Sequence, residues 1–256
     1  MVGASQHGEA PDNGALPGLR RIDGDGVDSP TSALPQRLVA EAFGAALLVA
    51  TVVGSGITAE SLTKDTALAL LANTLPTGAI LVVLITILGP ISGAHINPAV
   101  SLVFVLRRNL RPREAALYVL AQVIGGLIGT IAAHLMFALP LVETSLKARA
   151  GAAQWFAEWV ATFGLVVTIL AGIRFARASI PWLVGLYITA AYWFTASTSF
   201  ANPAVTIARA FTNTFSGIRP LDAPGFIAAE FLGALCALAF ANWLLPSPLA
   251  TRRNVK

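Results

Sequence analysis

Two runs of Asn-Pro-Ala-Val, Asn97 to Val100 and Asn202 to Val205, stand 105 residues apart in the chain. Proline at a first helical position has a preset φ and no N–H to satisfy, so each Asn-Pro marks a helix start. Such a start carries roughly half a positive charge. The Asn side chain caps it, which orients the amide to donate a hydrogen bond to a neutral solute. Glu41, Glu158 and Gln122 lie inside long apolar stretches, where ionisable and polar groups are expensive and functional by default. This is chemistry for recognising uncharged polar molecules. Ser, His and acidic residues fall in no spacing that pairs a nucleophile with a base, so catalysis is not expected. His134 has no Cys, acid or second His at ligand spacing, so neither a metal site nor a cofactor is expected.

The elements that must position these groups are membrane spans. Of 256 residues, 55% are hydrophobic and only 12% charged, and mean hydropathy is +0.71, which excludes an ordinary soluble domain, a disordered chain and collagen. The single cysteine, Cys236, cannot form an intrachain disulfide and reads as a structural thiol. A bilayer core of about 30 Å takes about 20 apolar residues of helix. Six stretches qualify: Leu38 to Ile57, Thr66 to Leu88, Ala115 to Leu139, Trp155 to Phe175, Trp182 to Ser199 and Gly225 to Leu245. Pro98 to Leu106 and Pro203 to Phe211 are too short to cross, and both begin at the Asn-Pro-Ala runs. Backbone that breaks at membrane depth needs protein or a water-filled cavity around it, so these pieces predict re-entrant half-helices lining a cavity.

Residues 1–36 hold six Gly, four Pro and five acidic residues with no apolar period, and read as a disordered cytoplasmic tail without a secretory signal. Residues 37–247 form the membrane domain, with halves of about 37–140 and 155–247, and 248–256 form a second cytoplasmic tail. The net charge of +4 is spread over loops and tails, so no nucleic-acid surface is expected. Twelve of the 17 Lys and Arg fall on the side that holds Arg37, Arg107 to Arg113, Arg174 and Arg177. The other side holds Lys64, Lys147, Arg149, Arg209 and Arg219. The excess marks the cytoplasmic side and places both termini there. Ala40-Glu41 and Ala157-Glu158 open spans one and four, and Gln122 in span three matches Glu230 in span six. With three spans between copies, the second half is inverted relative to the first. The fold class is therefore an all-α polytopic membrane protein with six transmembrane helices and two re-entrant half-helices.

From Arg37 to Leu245 the chain resembles the major intrinsic proteins, the aquaporins and aquaglyceroporins. The resemblance is carried by Ser92-Gly93-Ala94-His95-Ile96-Asn97-Pro98-Ala99-Val100, by Asn202-Pro203-Ala204, and by Glu41, Glu158 and Gln122. It implies a passive pore for water and small neutral solutes in a homotetramer, with one pore per subunit. It also implies loop support by the two glutamates, and a pore-facing His95 on the cytoplasmic side. The small residues Gly125, Gly126, Gly129, Ala132 and Ala133 suit close helix packing, between subunits or within one. Short Arg-rich loops suggest a bacterial inner membrane.

The chain departs from the family at the narrowest filter. Most members place an Arg directly after the second Asn-Pro-Ala, where this chain has Val205. Counting back from Asn97, the second-span filter position falls on Thr77, where the family carries an aromatic. The fifth-span position is Ala190 if counted from Asn202 and Tyr192 if aligned from Gly185, and Tyr192 is favoured. Ser199 completes the lining. Loss of a guanidinium removes five donors and a permanent charge, so the pore is expected to be wider and less polar. That favours glycerol-like polyols, urea and undissociated metalloid acids, and the chain resembles a bacterial subgroup with Val at this position associated with arsenic resistance. Arg209, one turn after Val205 on the same face, reads as a mouth residue or a snorkelling cation. The competing readings are a water channel with an unusual filter and an ion-coupled transporter, which the lack of a paired intramembrane acid and base disfavours.

Overall fold

The computed structural model describes residues 32–245. Among them the chain forms eight α-helices and no strand: α1 (Leu34–Leu62), α2 (Thr66–Ser92), α3 (Pro98–Leu106), α4 (Pro112–Met136), α5 (Ala152–Phe175), α6 (Ile180–Phe194), α7 (Pro203–Arg209) and α8 (Ala223–Leu244). Helix starts follow local chemistry. Asp65 accepts from the backbone N–H groups of Ala67 and Leu68 to cap α2, and prolines stand in the first turn of α1, α3, α4, α6, α7 and α8. Helix α1 starts at Leu34, inside the stretch expected to be a tail, because Pro35 and Gln36 provide a helix start; the rest of that expectation and the tail beyond 245 lie outside the described residues.

Five helices, α1, α2, α4, α5 and α8, are long and apolar enough to cross a membrane. The stretch expected as the fifth span, Trp182 to Ser199, is a shorter helix. Its 15 residues reach about 22 Å, and a 3-10 turn at Arg177–Ser179 precedes them. The helix ends at Phe194 because the following residues turn into the loop that carries the second half-helix.

The packing is an inverted repeat. Helix α1 lies along α4 and α5 along α8, while α2 and α6 join the halves. At that join Gly78 and Gly185 face each other, and a Cβ built on Gly185 would come 2.7 Å from the Gly78 carbonyl oxygen. Gly125 and Gly129 bring α4 against α1, where any Cβ would overlap the carbonyl oxygens of Ala42 and Ala46. The small residues of α4 therefore serve contacts within one chain. Large apolar side chains such as Leu71, Leu75, Leu120, Ile124 and Ile128 face outward, whereas Glu41, Gln122, Thr130, Glu158, Thr206 and Glu230 are fully buried. An apolar exterior around a polar interior suits lipid outside and a wet path inside. Cys236, read above as structural, is exposed on the outer face of α8.

Candidate pore and its constriction

The two half-helices meet end to end through their caps. Asn97 accepts from the Ala99 N–H at 2.9 Å, and Asn202 accepts from the N–H groups of Ala204 at 3.0 Å and Val205 at 3.4 Å. Each amide nitrogen then crosses to the other half. Asn97 Nδ2 donates to the Ala201 carbonyl at 2.7 Å, and Asn202 Nδ2 donates to the Ile96 carbonyl at 2.8 Å. One N–H of each amide thus fixes the side chain while a second remains for the cavity that both residues line.

The loops entering the half-helices are built alike. Ala94 and Ile96 adopt φ of 47° and 50°, and Ser199 and Ala201, at equivalent distances before Asn202, adopt 49° and 48°. Left-handed backbone at non-glycine residues costs about 1 kcal/mol each, so the loops need compensating contacts. Buried carboxylates supply them. Glu41 accepts from His95 N–H at 3.0 Å and Ile96 N–H at 2.6 Å, and Glu158 from Phe200 N–H at 2.9 Å and Ala201 N–H at 2.7 Å. Alternating backbone turns consecutive N–H groups toward one anion, which is a nest. Gln122 supports the first nest, donating to Glu41 at 2.7 Å and to Ser101 at 3.1 Å. Its counterpart Glu230 accepts from the Asn202 N–H at 3.1 Å and from Thr206 at 2.8 Å. Ser101 and Thr206, each four residues after a capping Asn, were not singled out from the sequence, although the repeat offset marks them.

One cavity runs past both caps. His95, Phe104 and Ile85 line its end nearest the start of α1, and Thr77, Tyr192, Ser199, Val205 and Arg209 line the other. The His95 ring sits 3.1 Å from Ser101 Oγ through Nδ1 and 4.4 Å from the Phe104 ring. At the far end the Tyr192 hydroxyl donates to Thr77 Oγ1 at 3.4 Å, and Thr77 donates to the Asn73 carbonyl at 2.8 Å. Tyr192 is buried, whereas Ala190, the other position considered for α6, is exposed. Arg209 is 2% exposed, so it does not snorkel. Arg149, counted above only for topology, packs against Phe200, which lines the cavity: it donates to the carbonyls of Ser197 at 3.0 Å and Gly217 at 2.9 Å and lies 5.0 Å from the Phe200 ring centre. Its burial lowers its pKa to about 10. Nothing in its sequence neighbourhood marks that role, since its partners lie 48 and 68 residues away. His134 holds the Pro140 carbonyl and Thr212, and among the described residues no His, Cys, Asp and Glu cluster fits a metal.

Known proteins bear on this geometry in three ways. The major intrinsic protein family matches residues 29–179. Aquaglyceroporin AqpS of Rhizobium meliloti (strain 1021) is 70% identical over 212 residues, spanning 83% of this chain and 91% of the relative. Aquaporin NIP1-1 of Arabidopsis thaliana is 31% identical over 162 residues, 60% of this chain and 54% of that protein. In fold, the X-ray structure of the aquaglyceroporin from Plasmodium falciparum superposes with a TM-score of 0.67 at 20% identity, covering 86% of this chain and all of that one. With more than half the chain matched, and two crossed half-helices around one cavity, the chain belongs to the major intrinsic protein family, whose members are channels for water and small solutes and not enzymes.

Proposed function

We propose that this chain is a passive, bidirectional channel for uncharged solutes larger than water, among them glycerol-like polyols and undissociated metalloid acids such as arsenous acid, with water also passing and ions excluded. The observation that carries the reading is Val205. It follows the second Asn-Pro-Ala directly and lines the same cavity as the Thr77 and Tyr192 hydroxyls, so the lining there combines an apolar side chain with polar ones. Such a lining accommodates a carbon backbone and hydrogen-bonds hydroxyls. The Asn97 and Asn202 amides offer the next donors, and the two half-helix N-termini oppose cations. Glu41, Glu158 and Gln122 act by holding the loops. The name of the 70% identical relative, an aquaglyceroporin, supports the polyol class. The Lys and Arg excess supports cytoplasmic termini, in a bacterial plasma membrane, and the family resemblance supports a homotetramer with a pore in each subunit.

The test is stopped-flow light scattering on proteoliposomes, comparing entry of water, glycerol and arsenous acid with that in Val205→Arg. Solute entry that is fast, independent of any ion gradient and lost in Val205→Arg supports the reading. Entry of water alone returns the chain to the water channels, and entry only with a proton or sodium gradient returns it to the coupled transporters.

A further inference from the structure

We propose that Arg209 is the guanidinium of this pore's constriction, set one helical turn beyond Val205, and that with the Ser199 hydroxyl it forms both the cation barrier and a binding station for the oxygens of neutral polar solutes. The inference rests on the channel reading above and names the residues that select within it.

Helical side chains lean toward the N-terminus and cover the turn before their own Cα. An arginine four residues after Val205 therefore directs its head back toward the level of Val205. Arg209 lines the same cavity as Thr77, Tyr192, Val205 and Ser199, and is 2% exposed. Its orientation is fixed from two sides. Nε donates to the Ser216 carbonyl, and the guanidinium lies 3.3 Å from the Phe200 ring centre. A small Val205 leaves the path for this long side chain open, so the constriction keeps the positive charge expected to be lost at Val205 while its wall at Val205 stays apolar.

What remains unoccupied points to a ligand. Arg209 Nη1 is buried with no hydrogen-bond partner among the described residues, and so is Ser199 Oγ. Buried polar atoms in folded proteins are nearly always paired, so two orphans lining one cavity mark a place that solvent or solute fills in turn. Their chemistry is complementary, since Nη1 only donates while a hydroxyl donates or accepts. A solute hydroxyl or an undissociated oxyacid meets both needs. No ion pair of Arg209 occurs among the described residues, while the nearest carboxylates, Glu158 and Glu230, are engaged by loop N–H groups. Arg149 lies against the same Phe200 ring, so the charge at this end is positive. An unneutralised guanidinium in a narrow, weakly screened passage repels cations.

Proteoliposomes of wild type, Arg209→Gln, Arg209→Lys and Ser199→Ala test this with two readouts: decay of a proton gradient followed by a trapped pH dye, and glycerol entry. Arg209→Gln is expected to raise proton leak about tenfold or more, as loss of a charged group would. Arg209→Lys keeps the charge but loses the planar fork, so it holds the proton gradient while glycerol entry falls several-fold. Ser199→Ala lowers glycerol entry without raising the leak. A wild-type leak in Arg209→Gln overturns the barrier, and unchanged glycerol entry in both Arg209→Lys and Ser199→Ala overturns the binding station. If Arg209→Gln fails to insert, Arg209→Met, an unbranched uncharged replacement, carries the barrier test with the same two outcomes, and the other two variants decide the binding station. Failure of wild type to pass glycerol would instead defeat the channel reading, and the proton leak would then judge Arg209 alone.

Discussion

Glu230 occupies in α8 the place that Gln122 occupies in α4, but Gln122 donates its amide to Glu41 at 2.7 Å whereas Glu230 sets a second carboxyl group beside Glu158. One half of the repeat thus pairs an amide with a carboxylate, and the other pairs two acids. Glu230 Oε1 is satisfied by Asn202 and Thr206, and Oε2 is buried without a partner. Glu230→Gln keeps the accepting oxygen and turns an N–H₂ toward Glu158, copying the first half. It is expected to stabilise the fold by about 1 kcal/mol, read as a raised unfolding midpoint in detergent. A lowered midpoint would mean that the acid itself is required there.

Glu41→Gln should act in the opposite sense. The Glu41 carboxylate accepts from Ser92 at 2.6 Å, His95 N–H at 3.0 Å, Ile96 N–H at 2.6 Å and Gln122 at 2.7 Å. A glutamine offers one oxygen to these four donors and confronts the rest with its own N–H groups. The loss is expected to be about 2–5 kcal/mol, the range for breaking a buried charged network, together with loss of glycerol entry as the loop before Asn97 relaxes. Tryptophan fluorescence during heating measures the first effect, and an unshifted midpoint would show that the nest holds without its anion.

The half-helices were legible in the sequence because proline and asparagine at a helix start act locally, and the repeat was legible because Glu41 and Glu158 recur in register. Tyr192 required an alignment choice between two loop lengths, and the geometry separates it from Ala190 by burial. Hydropathy carried the fifth span to Ser199, whereas the helix ends at Phe194, because the next residues belong to the loop whose Phe200 and Ala201 N–H groups bind Glu158. Arg209 was legible as a position but not as a buried group, because Phe200 and Ser216, which enclose it, come from loops on either side of α7. Tertiary neighbours of that kind leave no periodic trace.

Acid should weaken the loop before α8 through Asp222. Its carboxylate accepts from Arg149 N–H at 2.8 Å and from Arg219 at 2.9 and 3.2 Å, and chiefly the Arg219 hydrogen bond holds its pKa below the ordinary 3.8. A carboxyl whose pKa is depressed on folding adds stability that is complete above the unfolded value and is lost as pH falls through the folded one. Wild type is therefore expected to exceed Asp222→Asn in unfolding midpoint at neutral pH, with the gap closing only below about pH 4. A gap that stays constant down to about pH 3 would show that charge is not the source.

Two glycines should respond to alanine with opposite signs. A Cβ on Gly125 would overlap the Ala42 backbone carbonyl, which cannot move aside without separating α1 from α4, so Gly125→Ala is expected to destabilise by about 1–3 kcal/mol. A Cβ built on Gly54 in α1 would meet only the edge of the Phe137 ring, at 3.4 Å, an ordinary van der Waals contact. Gly54→Ala is expected to stabilise by about 0.5–1 kcal/mol through helix propensity. Equal responses would argue against the tight crossing of α1 on α4.

The last expectation concerns the width of the pore where Tyr192 reaches Thr77. Because the hydroxyl contact at 3.4 Å joins α6 to α2 at the end of the cavity, the aromatic wall there comes from α6. Tyr192→Ala removes that wall, and entry of a five-carbon polyol is expected to rise about tenfold, the scale on which pocket size discriminates. Thr77→Phe fills the space from the opposite helix and is expected to lower glycerol entry about as much while water still passes. The two variants together separate width from chemistry. If both merely scale water and polyol entry alike, the limiting section lies elsewhere, nearest His95 and Phe104 at the other end of the cavity.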